Sequence, residues 1–142
     1  MSSSTICTFH VGQLYLGVDV LKVQEVLKAQ QMTLVPLADR TVSGLMNLRG
    51  QIVTAFDLRR RLGLADRDDA KPAINVVVRT PDGPVSLQVD EIGDVLELDN
   101  EQCEPVPNTL QGLPSELIHG VYKLDRQLLM VLDTERTLGI AR

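Results

Sequence analysis

Tryptophan is absent, and the aromatic content stops at two tyrosines and two phenylalanines, 3% of the chain. The apolar 44% is carried instead by valine, leucine and isoleucine, an aliphatic core composition that suits pleated β-structure. Cysteine is scarce as well. Cys7 and Cys103 stand far apart, with no C-x-x-C pair and no Cys/His cluster, which argues against a disulfide framework and a zinc site. Two small, partly buried thiols in a reducing compartment are what remains. No apolar run approaches the roughly 18–20 residues of a membrane span, and the opening MSSST lacks the basic region and apolar stretch of a secretory leader. A soluble intracellular protein with no direct membrane insertion is expected. A positive balance is missing too: the formal charge is −5 and the pI about 4.9, so there is no basic face for phosphates and no nucleic-acid partner. Protein partners fit better.

Catalytic equipment is equally thin. His10 lies in an alternating segment and His119 precedes Gly120, neither with a serine or cysteine nucleophile in a recognisable frame. The acidic residues Asp66, Asp68 and Asp69 lack the glycine and terminal glutamate of a calcium loop and read as a solvated linker. The glycines form neither G-x-G-x-x-G nor a P-loop. No enzyme activity, metal or cofactor is expected.

What the sequence does contain is a repeat. Gly44–Gly63 (GLMNLRGQIVTAFDLRRRLG) and Gly120–Gly139 (GVYKLDRQLLMVLDTERTLG) align without a gap and share Gly44/Gly120, Leu48/Leu124, Gln51/Gln127, Asp57/Asp133, Arg60/Arg136, Leu62/Leu138 and Gly63/Gly139. A weaker echo pairs Val18-Asp19-Val20-Leu21 with Val89-Asp90-Glu91-Ile92 in the same chain order. A repeat longer than one hairpin implies a duplicated folding unit. Divided in two, 142 residues give lobes of roughly 65–70, near the lower limit for a self-sufficient core. Each lobe is therefore expected to lean on the other.

Local patterns place the elements. Thr5–Val11 puts Cys7, Phe9 and Val11 on one face, Gly12-Gln13 turns the chain, and Leu14–Val18 returns. Asp19 is an N-cap for Val20-Leu21-Lys22, while the period over Val23–Val26 fits helix or strand. In the first copy of the repeat, Met46-Asn47-Leu48 is a strand, Arg49-Gly50 its turn and Gln51–Phe56 the return, with Gly50 able to supply positive φ. Asp57 caps a helix of about one turn, with Leu58, Arg61 and Leu62 on one face and Gly63 at its end. The second copy turns at Asp125-Arg126 without glycine, so another turn type is expected there. Ala73–Arg79 and Val85–Val89 flank Thr80-Pro81-Asp82-Gly83 as a hairpin, and Cys103–Pro114, with Pro105, Pro107, Gly112 and Pro114, reads as a crossing loop. Short strands, close turns and small capped helices point to closed or nearly closed barrels, which hide strand edges. The lobe boundary is placed in residues 65–72, with a first lobe over 5–64 and a second over 73–139 of a single domain, 1–142. Arg59-Arg60-Arg61 reads as a solvated helix face. Arg49 is different: a turn arginine between apolar strands can offer a rigidly based guanidinium to carboxylates or carbonyls.

At these residues the chain resembles the bacterial chemotaxis coupling proteins of the CheW family. The matching stretches are LGVDVLKVQEVL (Leu16–Leu27), SGLMNLRGQIVTAFDLRRRLGL (Ser43–Leu64), VSLQVDEIGDVLEL (Val85–Leu98) and HGVYKLDRQLLMVLD (His119–Asp133). NLRG before an aliphatic strand is specific, and VD-x-I-x-x-VL supports it from the second half. Thr54-Ala55 departs from the proline-containing strand common in the family. The resemblance implies an all-β fold of two tandem five-stranded SH3-like β-barrels with short capping helices, and no catalysis. It implies an adaptor between the cytoplasmic tip of methyl-accepting chemoreceptors and the regulatory domain of a CheA-type histidine kinase. The receptor helical hairpin would dock between the lobes, and kinase contacts would use the outer barrel ends. Other CheW-like domains are further partners in rings and arrays, and the protein would be cytoplasmic, reaching the membrane only through them. The short termini imply no appended receiver, methyltransferase or kinase domain.

Carried over by position, Val23 and Glu25 of KVQEV, Gly44, and Asn47, Leu48, Arg49 and Gly50 of NLRG are the interaction-sensitive residues, with Val95 in the second lobe. An adaptor of a pilus-motility or other chemosensory-like pathway is the same-fold alternative. A small-ligand-binding barrel pair or hydrolase working in the interlobe cleft is the alternative of another class. Apolar Val23, Val26 and Leu27 favour a docked helix over a small-ligand site.

Overall fold

Alternating aliphatic residues and tight turns produce ten strands in the computed structural model, which describes residues 2–28, 30–66, 72–107 and 117–134. Strands β1 (Ser3–Val11) and β2 (Leu14–Asp19) form the first hairpin, with Gly12 at φ 60 in its turn. Asp19 caps a 3-10 turn, Val20–Lys22, by accepting the Leu21 N–H at 2.9 Å. The ambiguous segment after it is extended, as β3 (Val23–Leu27). Next come β4 (Val42–Leu48), β5 (Gln51–Asp57) and the short helix α1 (Leu58–Arg61), where the Asp57 carboxylate accepts the Arg59 and Arg60 N–H groups. Gly63, at φ 77, ends that helix with its N–H on the Arg60 carbonyl. The remaining strands are β6 (Ile74–Thr80), β7 (Gly83–Val89), β8 (Glu91–Asp99), β9 (Ile118–Lys123) and β10 (Leu128–Leu132), with a second 3-10 turn at Asn100–Gln102 capped by Asp99.

The strands form two five-stranded sheets, ordered β8-β1-β2-β10-β9 and β3-β6-β7-β5-β4. Exchanging β1–β5 with β6–β10 in chain order converts one order into the other, so the duplication legible in sequence is a pseudo-twofold of the fold. The halves are interleaved, however. Hairpin β1–β2 completes the sheet of β8, β9 and β10, while β6–β7 completes that of β3, β4 and β5. The added hairpins enter through parallel pairs, β2 with β10 and β5 with β7. The division at residues 65–72 therefore separates the repeats and not the barrels: 5–64 and 73–139 each contribute strands to both sheets. Period-2 patterning says which face of a strand is buried and not which copy it pairs with, so the exchange leaves no local trace.

Each sheet closes on itself through an isolated bridge. Thr33 and Leu45 exchange two backbone hydrogen bonds of 2.8 Å, tying the chain after β3 to β4. Glu104 and Val121 do the same at 2.8 Å between the chain after β8 and β9. The repeat glycines Gly44 and Gly120 lie beside these bridges. A Cβ on Gly44 would stand 2.8 Å from the Thr33 carbonyl oxygen, and one on Gly120 would stand 2.5 Å from Cys103 Sγ and 3.1 Å from the Glu104 oxygen. Closure needs a residue without a side chain at both places.

Three apolar clusters follow. Met46, Leu48, Val53 and Val77 fill one barrel, and Ile6, Tyr15, Tyr122, Leu129 and Val131 fill the other. The third and widest lies between the sheets, where Phe9, Val11, Leu16 and Val18 meet Val76, Val78, Leu87 and Val89, with Leu58 and Leu62 of α1 among them. Each such side chain contributes about 1.5–3 kcal/mol on full burial, so neither barrel face is stable in water alone. The mutual dependence expected of two small lobes is this shared layer.

Two expectations change. Arg59 and Arg60 are not a solvated helix face: Arg59 pairs with Asp90 at 2.6 Å, and Arg60 Nε donates to Asp66 at 3.0 Å while its Nη1 donates to the Arg40 carbonyl at 3.0 Å. Charge spacing along one helix does not reveal acceptors brought by distant segments. The second repeat turn is not confined to Asp125-Arg126: it spans Leu124–Gln127 between paired Lys123 and Leu128 and closes with the Leu124 N–H on the Gln127 carbonyl at 3.0 Å, so it does differ in type from the glycine turn of the first copy. Asp68, Asp69, Gly112, Pro114, Arg136, Leu138 and Gly139 lie outside the described residues.

Candidate interaction surface

The residues Val23, Glu25, Gly44, Asn47, Leu48, Arg49 and Gly50 all belong to one barrel, on or beside β3 and β4. These strands are the two ends of the sheet order, so closure is what brings the residues together. In β4, Gly44, Met46 and Leu48 point inward, Leu48 into the cluster of Met46, Val53 and Val77, and Asn47 faces solvent. Arg49 and Gly50 both have positive φ, 52 and 86. A two-residue loop with that geometry is the hairpin turn whose twist matches its strands, but a side chain at the first position bears left-handed strain. The Asn47 side chain steadies the turn, its Oδ1 accepting the Gly50 N–H at 2.8 Å.

The guanidinium that this strained residue presents is clasped from the other edge of the sheet. Arg49 Nη1 donates to Glu25 Oε2 at 2.6 Å and Nη2 to Oε1 at 2.8 Å. The Glu25 side chain is 19% exposed and that of Arg49 is 70% exposed, so the arginine covers the carboxylate and keeps its outer face open. Hydrogen bonding by Arg49 holds the Glu25 carboxyl below the usual glutamate range, and the same contact raises Arg49. The pairing depends on closure between segments that no local sequence pattern connects.

Two apolar side chains on these strands are open to solvent: Val26, on the face of β3 opposite to Glu25, and Ile52, 60% exposed, which pairs with Asn47 across the hairpin. Val23 is half-buried against the layer between the sheets. Val95 is elsewhere, exposed on β8 of the other barrel opposite Cys7, and is not part of this cluster. His10 stacks on Tyr15 with ring centroids 4.8 Å apart.

A separate cleft of about 340 Å³ opens beside the other barrel, lined by residues that include Asp19, Lys22, Cys103, His119, Tyr122 and Asp133. None of Val23, Val26 or Leu27 lines it. Among the described residues, no group of three or more His, Cys, Asp or Glu is placed to hold a metal.

The sequence model of the CheW-like domain matches residues 5–141. The chemotaxis protein CheW of Klebsiella aerogenes is 32% identical over 131 residues, 92% of this chain and 79% of that protein. The chemotaxis protein CheW of Treponema pallidum is 28% identical over 135 residues, again 92% and 79%. Among solved structures, the scaffolding protein TtCheW from Thermoanaerobacter tengcongensis superposes with a TM-score of 0.84 at 26% identity, covering 94% of this chain and 86% of that one. The paired SH3-like barrels and their sequence thus have one consistent assignment: the chain belongs to the CheW-like domain family.

Proposed function

We propose that the protein is a chemotaxis adaptor that couples the cytoplasmic tips of methyl-accepting chemoreceptors to the regulatory domain of a CheA-type histidine kinase. It acts as a non-enzymatic scaffold and joins other CheW-like domains in arrays. Membership of the CheW-like family supports this reading, as does the similarity to a scaffolding CheW protein. The observation that carries it is the oriented Arg49–Glu25 pair at the tip of a hairpin whose return strand exposes Ile52. Small aliphatic groups supply a surface that desolvates readily, and the fixed charges set register and select partners. No helix among the described residues is long and apolar enough to cross a membrane. The protein works in the cytoplasm and meets the membrane through its receptors. Each contact can be weak, since array adaptors gain avidity from many linked contacts.

The test is a pair of NMR titrations of the labelled protein, one with the cognate receptor signalling domain and one with the kinase regulatory domain. Saturable shifts are expected in both, including amides of Val23–Leu27 and Leu45–Ile52 in at least one. Absence of binding to both partners contradicts the adaptor reading.

A further inference from the structure

The chain crosses between the barrels at Asp90, the single residue separating β7 from β8. Its N–H donates to the His10 carbonyl at 3.0 Å, and its Oδ2 accepts the Gly12 N–H at 2.7 Å, both groups of the β1–β2 hairpin. The same carboxylate is gripped from the opposite barrel by Arg59 of α1, with Nε 3.1 Å from Oδ1 and Nη2 2.6 Å from Oδ2. Arg59 Nη1 is held in turn by the Ala65 carbonyl at 3.0 Å. Both side chains are largely buried, 20% and 18% exposed.

The other crossing is built differently. Asp19 spends its carboxylate on the Leu21 N–H, and exposed Arg79, on the β6 strand that pairs with β3, donates to the carbonyls of Leu21 and Val23 at 3.2 and 2.9 Å, within the barrel that the chain is entering. One crossing thus carries a largely buried charged fork that joins α1 of one barrel to the β1–β2 hairpin of the other, while the arginine at the other crossing binds neutral acceptors on its own side. The distinction matters because the apolar layer between the barrels is non-directional. It resists separation, while rolling of one sheet over the other is opposed by directional contacts at its rim. A bidentate arginine–carboxylate pair is the most directional of these.

We propose that Arg59 and Asp90 are positioning residues that fix the relative orientation of the two barrels, and that receptor control of the kinase depends on this clamp. The inference rests on the adaptor reading above. Contacts on separate barrels are energetically coupled only if the body between them holds its shape. The Arg49 surface lies on one barrel and survives loss of the clamp, which uncouples it from contacts on the other barrel.

The experiment uses the full chain with Arg59→Lys, which keeps the charge and loses the fork, and Asp90→Asn, which keeps an acceptor for Gly12. Separate affinities for the receptor and kinase domains, thermal midpoint, and receptor-stimulated autophosphorylation are measured for each. Interbarrel distance is read by pulsed EPR between labels at Asp82→Cys and Glu101→Cys in a Cys103→Ser background. Near-native separate affinities, a broadened distance distribution and a roughly tenfold fall in stimulation are expected. Native stimulation with an unchanged distribution in folded variants overturns the proposal. So does a loss of stimulation matched by lost affinity for one partner, since that places the pair on a docking surface. If the unmodified protein gives no stimulation, the adaptor reading fails, while an unchanged distance distribution in the variants still refutes the clamp by itself.

Discussion

Arg49 and Glu25, 24 residues apart in the chain, meet in a two-point contact of 2.6 and 2.8 Å between the first and last strands in the order of one five-stranded sheet. A partner arriving at this barrel meets a neutralised, oriented pair rather than a lone cation, on a hairpin that also exposes Ile52. Arg49 holds that position at φ 52, a conformation that glycine adopts without strain. The chain keeps a side chain where the backbone alone favours none.

Arg49→Gly separates the two roles. Relief of left-handed strain offsets the loss of an exposed ion pair, which stabilises little, so the thermal midpoint should stay equal or rise. Partner binding should be lost. A large fall in midpoint by circular dichroism would assign Arg49 to the fold instead.

The pair also gives a sign to the pH dependence. Glu25 is held below its ordinary value of 4.5 chiefly by the hydrogen bond from Arg49. A carboxyl whose folded pKa is depressed contributes stability that is present above the unfolded pKa and lost as pH falls through the folded one. The midpoint difference between the protein and Glu25→Gln should therefore be largest above pH 4.5 and close on further acidification. A difference that widens towards low pH would contradict this assignment.

Barrel closure is tested at Gly44. A methyl group there meets the Thr33 backbone oxygen at 2.8 Å, and backbone cannot swing aside as a side chain can. Gly44→Ala should destabilise by about 1–3 kcal/mol, with faster hydrogen exchange at the Thr33 and Leu45 amides. Gly120→Ala first meets Cys103 Sγ, so Cys103→Ala should recover part of its loss. Equal exchange rates in Gly44→Ala and the unmodified protein would show that the bridge does not depend on this glycine.

Interleaving of the halves predicts complementation. Fragments 1–66 and 72–142 each lack strands that both sheets require, so neither should give dispersed amide spectra alone. Mixed from denaturant, they should assemble one to one with native-like spectra. A folded isolated fragment would mean that the repeats can pair within themselves.

What could be read in the sequence was local. The turns at Gly12-Gln13 and Arg49-Gly50, the caps Asp19 and Asp57, and the β6–β7 hairpin each depend on a few neighbouring residues, and each is found where those residues place it. The cap at Asp99 has the same local signal, an aspartate before Asn-Glu-Gln. Contacts set by topology were not legible. The hairpin exchange, the Glu25–Arg49 clasp and the Arg59–Asp90 clamp join segments whose meeting follows from how two sheets close and cross. Val95 lies on β8, in the sheet that takes three of its five strands from the second half of the chain, away from the Arg49 hairpin.

The most direct measurement of the central claim is kinase autophosphorylation in a mixture of receptor signalling domain and CheA-type kinase, with and without this protein, alongside Arg49→Glu. The account predicts stimulation that requires the protein and disappears with a folded Arg49→Glu variant. Absence of stimulation with cognate partners, or full stimulation by Arg49→Glu, would contradict it: the first removes the coupling role, and the second removes the Arg49 hairpin from it.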